Sequence, residues 1–392
     1  MEANKYIAQA IQDMPASGIR KLWELAMSMD EVISLCIGEP DYAPPQKVLD
    51  ACCTSIQNKE THYSPNAGIL PLRTAIRNWY FKHYGVDYTE DEMMLTIGAS
   101  EAIDLSLRVL LNPGDEVLMP DPSYVAYPAE VEMCGGVPVM VETRLEDDFK
   151  LTVEALEKKV TPKTKVLVVG YPSNPTGAIM TREDWAPIVD FVIKHDLIVV
   201  SDEIYSELTY GQKHCSIASF PGMKERTFIL NGFSKAFAMT GLRIGFLCAP
   251  HEFIQAAIKI HQYSIVGPAT PIQHGAIVAL NECDDSVAAM LEEYQARRDI
   301  IVKGFQDMGL PISVPEGAFY VFPDISATGL NDEEFALKLL EEEHVGVIPG
   351  SAFGEFGKNR IRASYASSRD TIREALTRIA RFVDRYRTAN AK

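Results

Sequence analysis

Seven short apolar runs, rich in β-branched residues, constrain this chain more than any other feature. They are MLTIGAS (94–100), EVLMP (116–120), VPVMVET (137–143), TKVLVVG (164–170), LIVVSDE (197–203), TFILNGFSK (227–235) and IGFLCA (244–249). Stretches of helical periodicity separate several of them. Near-continuous apolarity is what a strand buried on both faces requires, whereas a half-exposed strand alternates. The runs therefore predict an α/β three-layer sandwich: a mainly parallel seven-stranded sheet covered by helices. Only eight residues join the last two runs, and a parallel crossover needs about a dozen or more. IGFLCA should therefore run antiparallel. Its start, with Arg243 just before it, then lies at the sheet edge where the parallel strands finish and where Lys235 stands.

After Cys283 the pattern changes. A long helix over about 286–308 is stopped by Gly309, and GAFYVFP, VGVIP and RIRASYA follow as short strands. The closing segment RDTIREALTRIARFVDRY puts Ile372, Leu376, Ile379, Val383 and Tyr386 on one helical face. This is a smaller α+β unit, and the loop-like PDYAPP (40–45) suggests that the first 45 residues join it. The expected division is 46–285 for the large domain and 1–45 with 286–392 for the small one; 392 residues exceed one ordinary core.

Composition narrows the partners. A formal net charge of −17 argues against nucleic acid, whose phosphates need a basic surface. The seven cysteines show no CxxC pair and no metal-ligand spacing, so they read as reduced thiols. No window has the length of a transmembrane helix, and MEANKYIAQAIQDM lacks the apolar core of a signal peptide. The expected location is the cytoplasm, with no membrane partner. The eight histidines form no HExxH or similar cluster, and no metal is expected.

In an open α/β sheet, ligands bind beyond the carboxyl ends of the strands. There the sequence collects Gly98-Ala99-Ser100, Tyr124, Asn174, Asp202 with Tyr205, and Ser234-Lys235. Lys235, flanked by Phe233 and Phe237, either snorkels to solvent or has its amine neutralised as an imine with an aldehyde cofactor. Asp202 is either a helix cap or the acid that keeps a pyridine nitrogen protonated. Glu203 is the alternative in the same motif, but alternation sets the two side chains on opposite faces. Gly98-Ala99-Ser100 before a helical stretch, the Ser234 hydroxyl and the Arg243 fork would together suit a phosphate. With Lys235 they specify a phosphorylated aldehyde.

SDEIY, YPSNPTG and SKAFAMTGLRIGF resemble the signatures of the class I/II, fold type I aminotransferases, in that family's order; LCIGEPDY and RIRASYA are similar too. The resemblance runs from about Ile33 to the final helix. It implies pyridoxal 5′-phosphate held as a Schiff base on Lys235, with Asp202 as partner of the pyridine nitrogen. Tyr205 and Asn174 would hydrogen-bond the ring's phenolic oxygen, and Tyr124 would stack on the ring. Ala99, Ser100, Ser234 and Arg243 would surround the phosphate, and Tyr63 would reach the phosphate of the neighbouring subunit in a homodimer with shared sites. Arg362 would bind the substrate α-carboxylate, with Gly38 giving close backbone approach. Alternation sets Arg360 and Arg362 on one face, so only the motif match chooses Arg362.

The resemblance implies ping-pong transamination between an L-amino acid and a 2-oxo acid such as 2-oxoglutarate, with Lys235 moving the proton and Asp202 and Tyr205 assisting. Many prokaryotic aspartate aminotransferases carry a lysine where Ser100 stands. GASEAID and PEGAFYVFP look closer to the subgroup with N-acetyl-diaminopimelate and broad aspartate/aromatic enzymes, so the donors expected are N-acetyl-LL-diaminopimelate, aspartate or aromatic amino acids. The nearest alternative is a pyridoxal-dependent carbon–sulfur β-lyase on the same scaffold. A non-catalytic pyridoxal-binding regulator would need a basic DNA-binding domain, and a nicotinamide dehydrogenase a GxGxxG after a strand; neither feature is present.

Overall fold

The computed structural model of the chain describes residues 5–12, 29 and 31–390. The remaining positions of the expected 1–45 segment lie outside the described residues. The strands in chain order are β1 (Ile33–Ser34), β2 (Met93–Thr96), β3 (Glu116–Asp121), β4 (Val137–Glu142), β5 (Thr164–Gly170) and β6 (Ile198–Asp202). They continue as β7 (Thr227–Gly232), β8 (Gly245–Cys248), β9 (Tyr320–Val321), β10 (Val345–Gly346), β11 (Ile348–Pro349) and β12 (Ile361–Ser364).

All seven apolar runs enter one sheet, ordered β2-β8-β7-β6-β5-β3-β4. β8 is antiparallel to both neighbours, and the pairs among β3 to β7 are parallel. Period-two alternation shares each strand between two layers. In β5, Val166 and Val168 pack with the Gly98–Leu110 and His251–Ser264 helices, whereas Leu167 and Val169 pack with Trp185, Ile188 and Phe191 of the Arg182–Lys194 helix. The side chains of β5 are buried in both layers, which is why that run carries no alternating polar residues.

Two runs end sooner than their composition suggests. MLTIGAS stops being strand at Thr96, because Gly98 takes a left-handed φ of 71° and opens the Gly98–Leu110 helix. TFILNGFSK ends as strand at Gly232, so Lys235 stands in the turn beyond it.

A second core surrounds the three-stranded sheet β11-β12-β9 and the helices Asp284–Asp307, Asp332–Glu343 and Arg369–Asn390. Ile372, Leu376, Ile379 and Val383 are buried in it, and Tyr386 packs at its margin. β1 adds to this part of the molecule by pairing in parallel with β10, Ile33 opposite Val345. Among the described residues no helix is long and apolar enough to cross a membrane.

The close approach of β8 to the Gly98–Leu110 helix depends on a missing side chain. A Cβ on Gly245 would lie 2.6 Å from the Gly98 carbonyl carbon and 2.8 Å from the Ala99 nitrogen, both backbone atoms that cannot swing aside. Gly245→Ala is expected to cost about 1–3 kcal/mol in urea unfolding. Gly241→Ala, where nothing lies within 4 Å of the new methyl, should stay within about 0.5 kcal/mol of the parent.

Candidate active site

The finishing ends of β5, β6 and β7 and the start of β8 open onto one cavity of about 780 Å³. Its lining includes Gly38, Ala99, Ser100, Tyr124, Asn174, Asp202, Tyr205, Ser234, Lys235, Arg243 and Arg362. Eleven of the twelve site residues expected from the sequence therefore share one hollow. The twelfth, Tyr63, does not: it is 90 % exposed and borders a separate hollow with His62, Val266 and Thr270.

Lys235 Nζ donates to the Gly38 carbonyl at 2.6 Å. Burial pulls its ammonium down to about 8; the cationic Arg362 and Arg243 act in the same direction, while Glu39 and Asp202 oppose them. A neutral amine is thus within reach near physiological pH. Asp202, 6 % exposed, is the mirror case. Burial pushes its carboxyl up to about 6, assisted by the charge of Glu203, against hydrogen bonds from the Ile204 N–H at 3.1 Å and the Tyr127 hydroxyl at 2.9 Å. Glu203 lies away from the cavity, fully buried, accepting from Ser216 at 2.7 Å, Ser201 at 3.0 Å and Tyr80 at 3.2 Å.

Arg362 is 4 % exposed. Its guanidinium donates to Asn174 Oδ1 at 3.0 Å and to the Cys36 carbonyl, and stacks over Tyr320 with 4.5 Å to the ring centroid. Its Nε is buried without a partner, and no carboxylate among the described residues forms an ion pair with it. Arg360, which alternation could not separate from it, is distinguished by its partners: Asp324 at 3.3 Å and the ring of Phe149. Arg243, in a left-handed turn with φ 50°, donates to the Thr240 carbonyl at 2.9 Å and approaches the space that a Cβ on Gly98 would fill.

Three contributors escaped the sequence reading. Tyr127 reaches Asp202 because Gly170, opposite Asp202 in the β5–β6 register, has no Cβ to meet its hydroxyl. Its spacing of one helical turn from Tyr124 was the available signal. Tyr320, in GAFYVFP, shares a 2.7 Å hydrogen bond with Tyr205 and backs onto Gly38. Glu39 reaches Thr240 Oγ1 at 3.1 Å across the cavity mouth; nothing local in the sequence pointed to that pair.

A half-buried ammonium, a protonatable buried carboxyl and two guanidiniums without acidic partners among the described residues make a site suited to small anions. The chain belongs to the class I and II aminotransferases, whose family model matches residues 30–379. It is accordingly a transferase of amino-acid metabolism, and the family generally depends on pyridoxal phosphate. It is 42 % identical over 377 residues to the aromatic-amino-acid aminotransferase 2 of Thermococcus litoralis, covering 95 % of this chain and 97 % of that one. It is 41 % identical over 379 residues to the probable N-acetyl-LL-diaminopimelate aminotransferase of Bacillus subtilis, covering 96 % of each. The aspartate aminotransferase structure from Rhizobium meliloti superposes with a TM-score of 0.94 at 36 % identity, covering 97 % of this chain and 99 % of that one.

The raised carboxyl of Asp202 has a definite sign. Between about pH 4 and pH 6 the folded chain holds a proton there that the unfolded chain, with its ordinary value of 3.8, has released, so the stability contributed at this group falls as pH rises through that window. Asp202→Asn should therefore raise the melting temperature of the cofactor-free protein above pH 6. It should give no such gain near pH 4, as thermal melts at the two pH values will show.

Proposed function

We propose that this chain is a pyridoxal-phosphate-dependent aminotransferase that forms its covalent link to the cofactor through Lys235. The observation carrying the reading is Arg362, a buried guanidinium without a carboxylate partner among the described residues, which faces the same cavity as a lysine held near 8. The residues present fit the cofactor. Gly98 leaves open the space beside Arg243, so the helix start and that guanidinium form a cradle for a phosphate.

When bound, pyridoxal phosphate supplies an aldehyde that condenses with amines and a ring that accepts the electrons of a deprotonated Cα. Around it, Ala99, Ser100, Ser234 and Arg243 would hold the phosphate, Tyr124 would stack on the ring, and Asn174 and Tyr205 would bind its phenolic oxygen. Asp202 would pair with the pyridine nitrogen. Arg362 and the backbone at Gly38 would orient the substrate α-carboxylate so that Lys235, displaced as a free amine, takes the proton from Cα. The exchange would be ping-pong, with a 2-oxo acid such as 2-oxoglutarate as acceptor.

For the donor, the only cationic side chains lining the cavity among the described residues are Lys235, Arg243 and Arg362, all with assigned tasks. Ser100 adds no charge, so an aromatic amino acid or N-acetyl-LL-diaminopimelate is favoured over aspartate. We further propose a homodimer in which Tyr63 serves the neighbour's site; its exposure, with that of Tyr263 at 88 % nearby in sequence to the same hollow, supports this. The division at residues 45/46 and 285/286 is proposed on the pairing of β1 with β10. Seven free cysteines suit a reducing cytoplasm.

Borohydride treatment of the holoprotein should abolish its visible absorbance and fix the cofactor on the peptide containing Lys235; an adduct on another peptide sinks the reading. Arg362→Lys should lower kcat/KM on the order of a hundredfold for every donor tried, because an ammonium keeps the charge but loses the bidentate fork that grips the carboxylate all donors share. Steady-state rates with phenylalanine, aspartate and N-acetyl-LL-diaminopimelate will show this.

A further inference from the structure

We propose that His261 and Glu101 form a buried pair that positions the start of the Gly98–Leu110 helix to receive the cofactor's phosphate, an inference that rests on the cofactor reading above. Glu101 stands in the first helical turn, directly after Ser100. Its Oε2 accepts from the Ile97 N–H at 2.6 Å, at the point where β2 gives way to the helix. Its Oε1 lies 2.6 Å from His261 Nδ1. A carboxylate only accepts, so Nδ1 carries the proton.

His261 comes from a separate element, the last turn of the His251–Ser264 helix, which packs against the Gly98–Leu110 helix. It is 0 % exposed, and its Nε2 is buried without a partner. An apolar side chain would fill that space with no desolvation cost, so packing alone does not account for an imidazole there. Its backbone is anchored as well, since its carbonyl accepts from the Ile265 and Val266 N–H groups at 2.9 Å each. Among the described residues, the hydrogen bond to Glu101 is the one directed contact the ring makes.

The consequence falls on the cradle. The first amides of a helix have no acceptor within it and are available to an anion. Glu101 occupies the Ile97 N–H and so pins the strand-to-helix turn, while Gly98 beyond it takes its left-handed conformation. The next amides, at Ala99 and Ser100 on the cavity wall, are left for the phosphate. His261 holds the Glu101 rotamer that makes this possible. Both act through the helix start and touch neither cofactor nor substrate, so they are positioning residues.

The test compares binding of pyridoxal 5′-phosphate with binding of pyridoxal, which lacks the phosphate, to the cofactor-free full-length protein. Spectrophotometric titration is the readout, with far-UV circular dichroism to confirm folding. Glu101→Ala and His261→Phe should each weaken pyridoxal phosphate about tenfold, roughly the worth of one charge-assisted hydrogen bond, and leave pyridoxal within about twofold. Glu101→Gln, which keeps an acceptor for the Ile97 N–H, and His261→Gln, which keeps a donor and covers a failure of the phenylalanine variant to fold, should retain parental affinity. Equal weakening toward both ligands, or parental pyridoxal phosphate affinity in Glu101→Ala, overturns the inference while leaving the cofactor reading intact. A parent protein that takes up no pyridoxal phosphate overturns both.

Discussion

Desolvated charge left without a partner is the constraint on which the arrangement turns. An ammonium, a carboxyl and a guanidinium lie buried or half-buried along one sheet edge, and the fold declines to pair them directly with one another. Lys235 bonds a backbone carbonyl, Asp202 takes a phenol, and Arg362 takes an amide oxygen and a carbonyl. Neutral dipoles satisfy each group without cancelling its charge. Leaving ionisable groups this way costs stability that direct ion pairs could have recovered in part. What the protein gains is a site whose charges stay available for a ligand, with Lys235 drawn down and Asp202 pushed up toward the middle of the pH scale.

The tyrosines are the means of that neutrality. Tyr127 is admitted to Asp202 by Gly170, and Tyr205 and Tyr320 share a hydrogen bond in the wall between the sheet edge and the second core. Tyr320 also supports Arg362 through its ring face. A single phenol thus touches elements from both parts of the molecule. Arg362 carries no bound acid to hold it in place, and ring stacking together with Asn174 substitutes for one.

How much could be read in advance divides by range. The seven strands, the reversal of IGFLCA and the meeting of Arg243 with Lys235 followed from local apolarity and the length of one link. Lys235, Asp202 and Asn174 were legible because they end or follow strands, and strand ends converge. The tyrosine contacts were not, because Tyr127 needs a glycine on another strand and Tyr205 needs a residue 115 positions away. The end of β2 was overrun for a related reason: a glycine's φ ends a strand where composition alone continues it. Glu101 and His261 lie 160 residues apart on two helices, beyond any local periodicity.

The contact between the Cys36 carbonyl and Arg362 spans 326 positions of sequence. Synthesis runs from the amino terminus, so the sheet edge with Lys235 and Asp202 can be complete on the ribosome while the arginine that meets Cys36 is still untranslated. β1 must wait in turn for β10 to give it a neighbour. The hollow is therefore a late product of biosynthesis, with one wall made early and the other closed only once β12 has emerged. A nascent chain passes through a stage that has Lys235 but not Arg362. A chain stalled between the two would carry the ammonium and the carboxyl of the sheet edge without the guanidinium that meets Cys36.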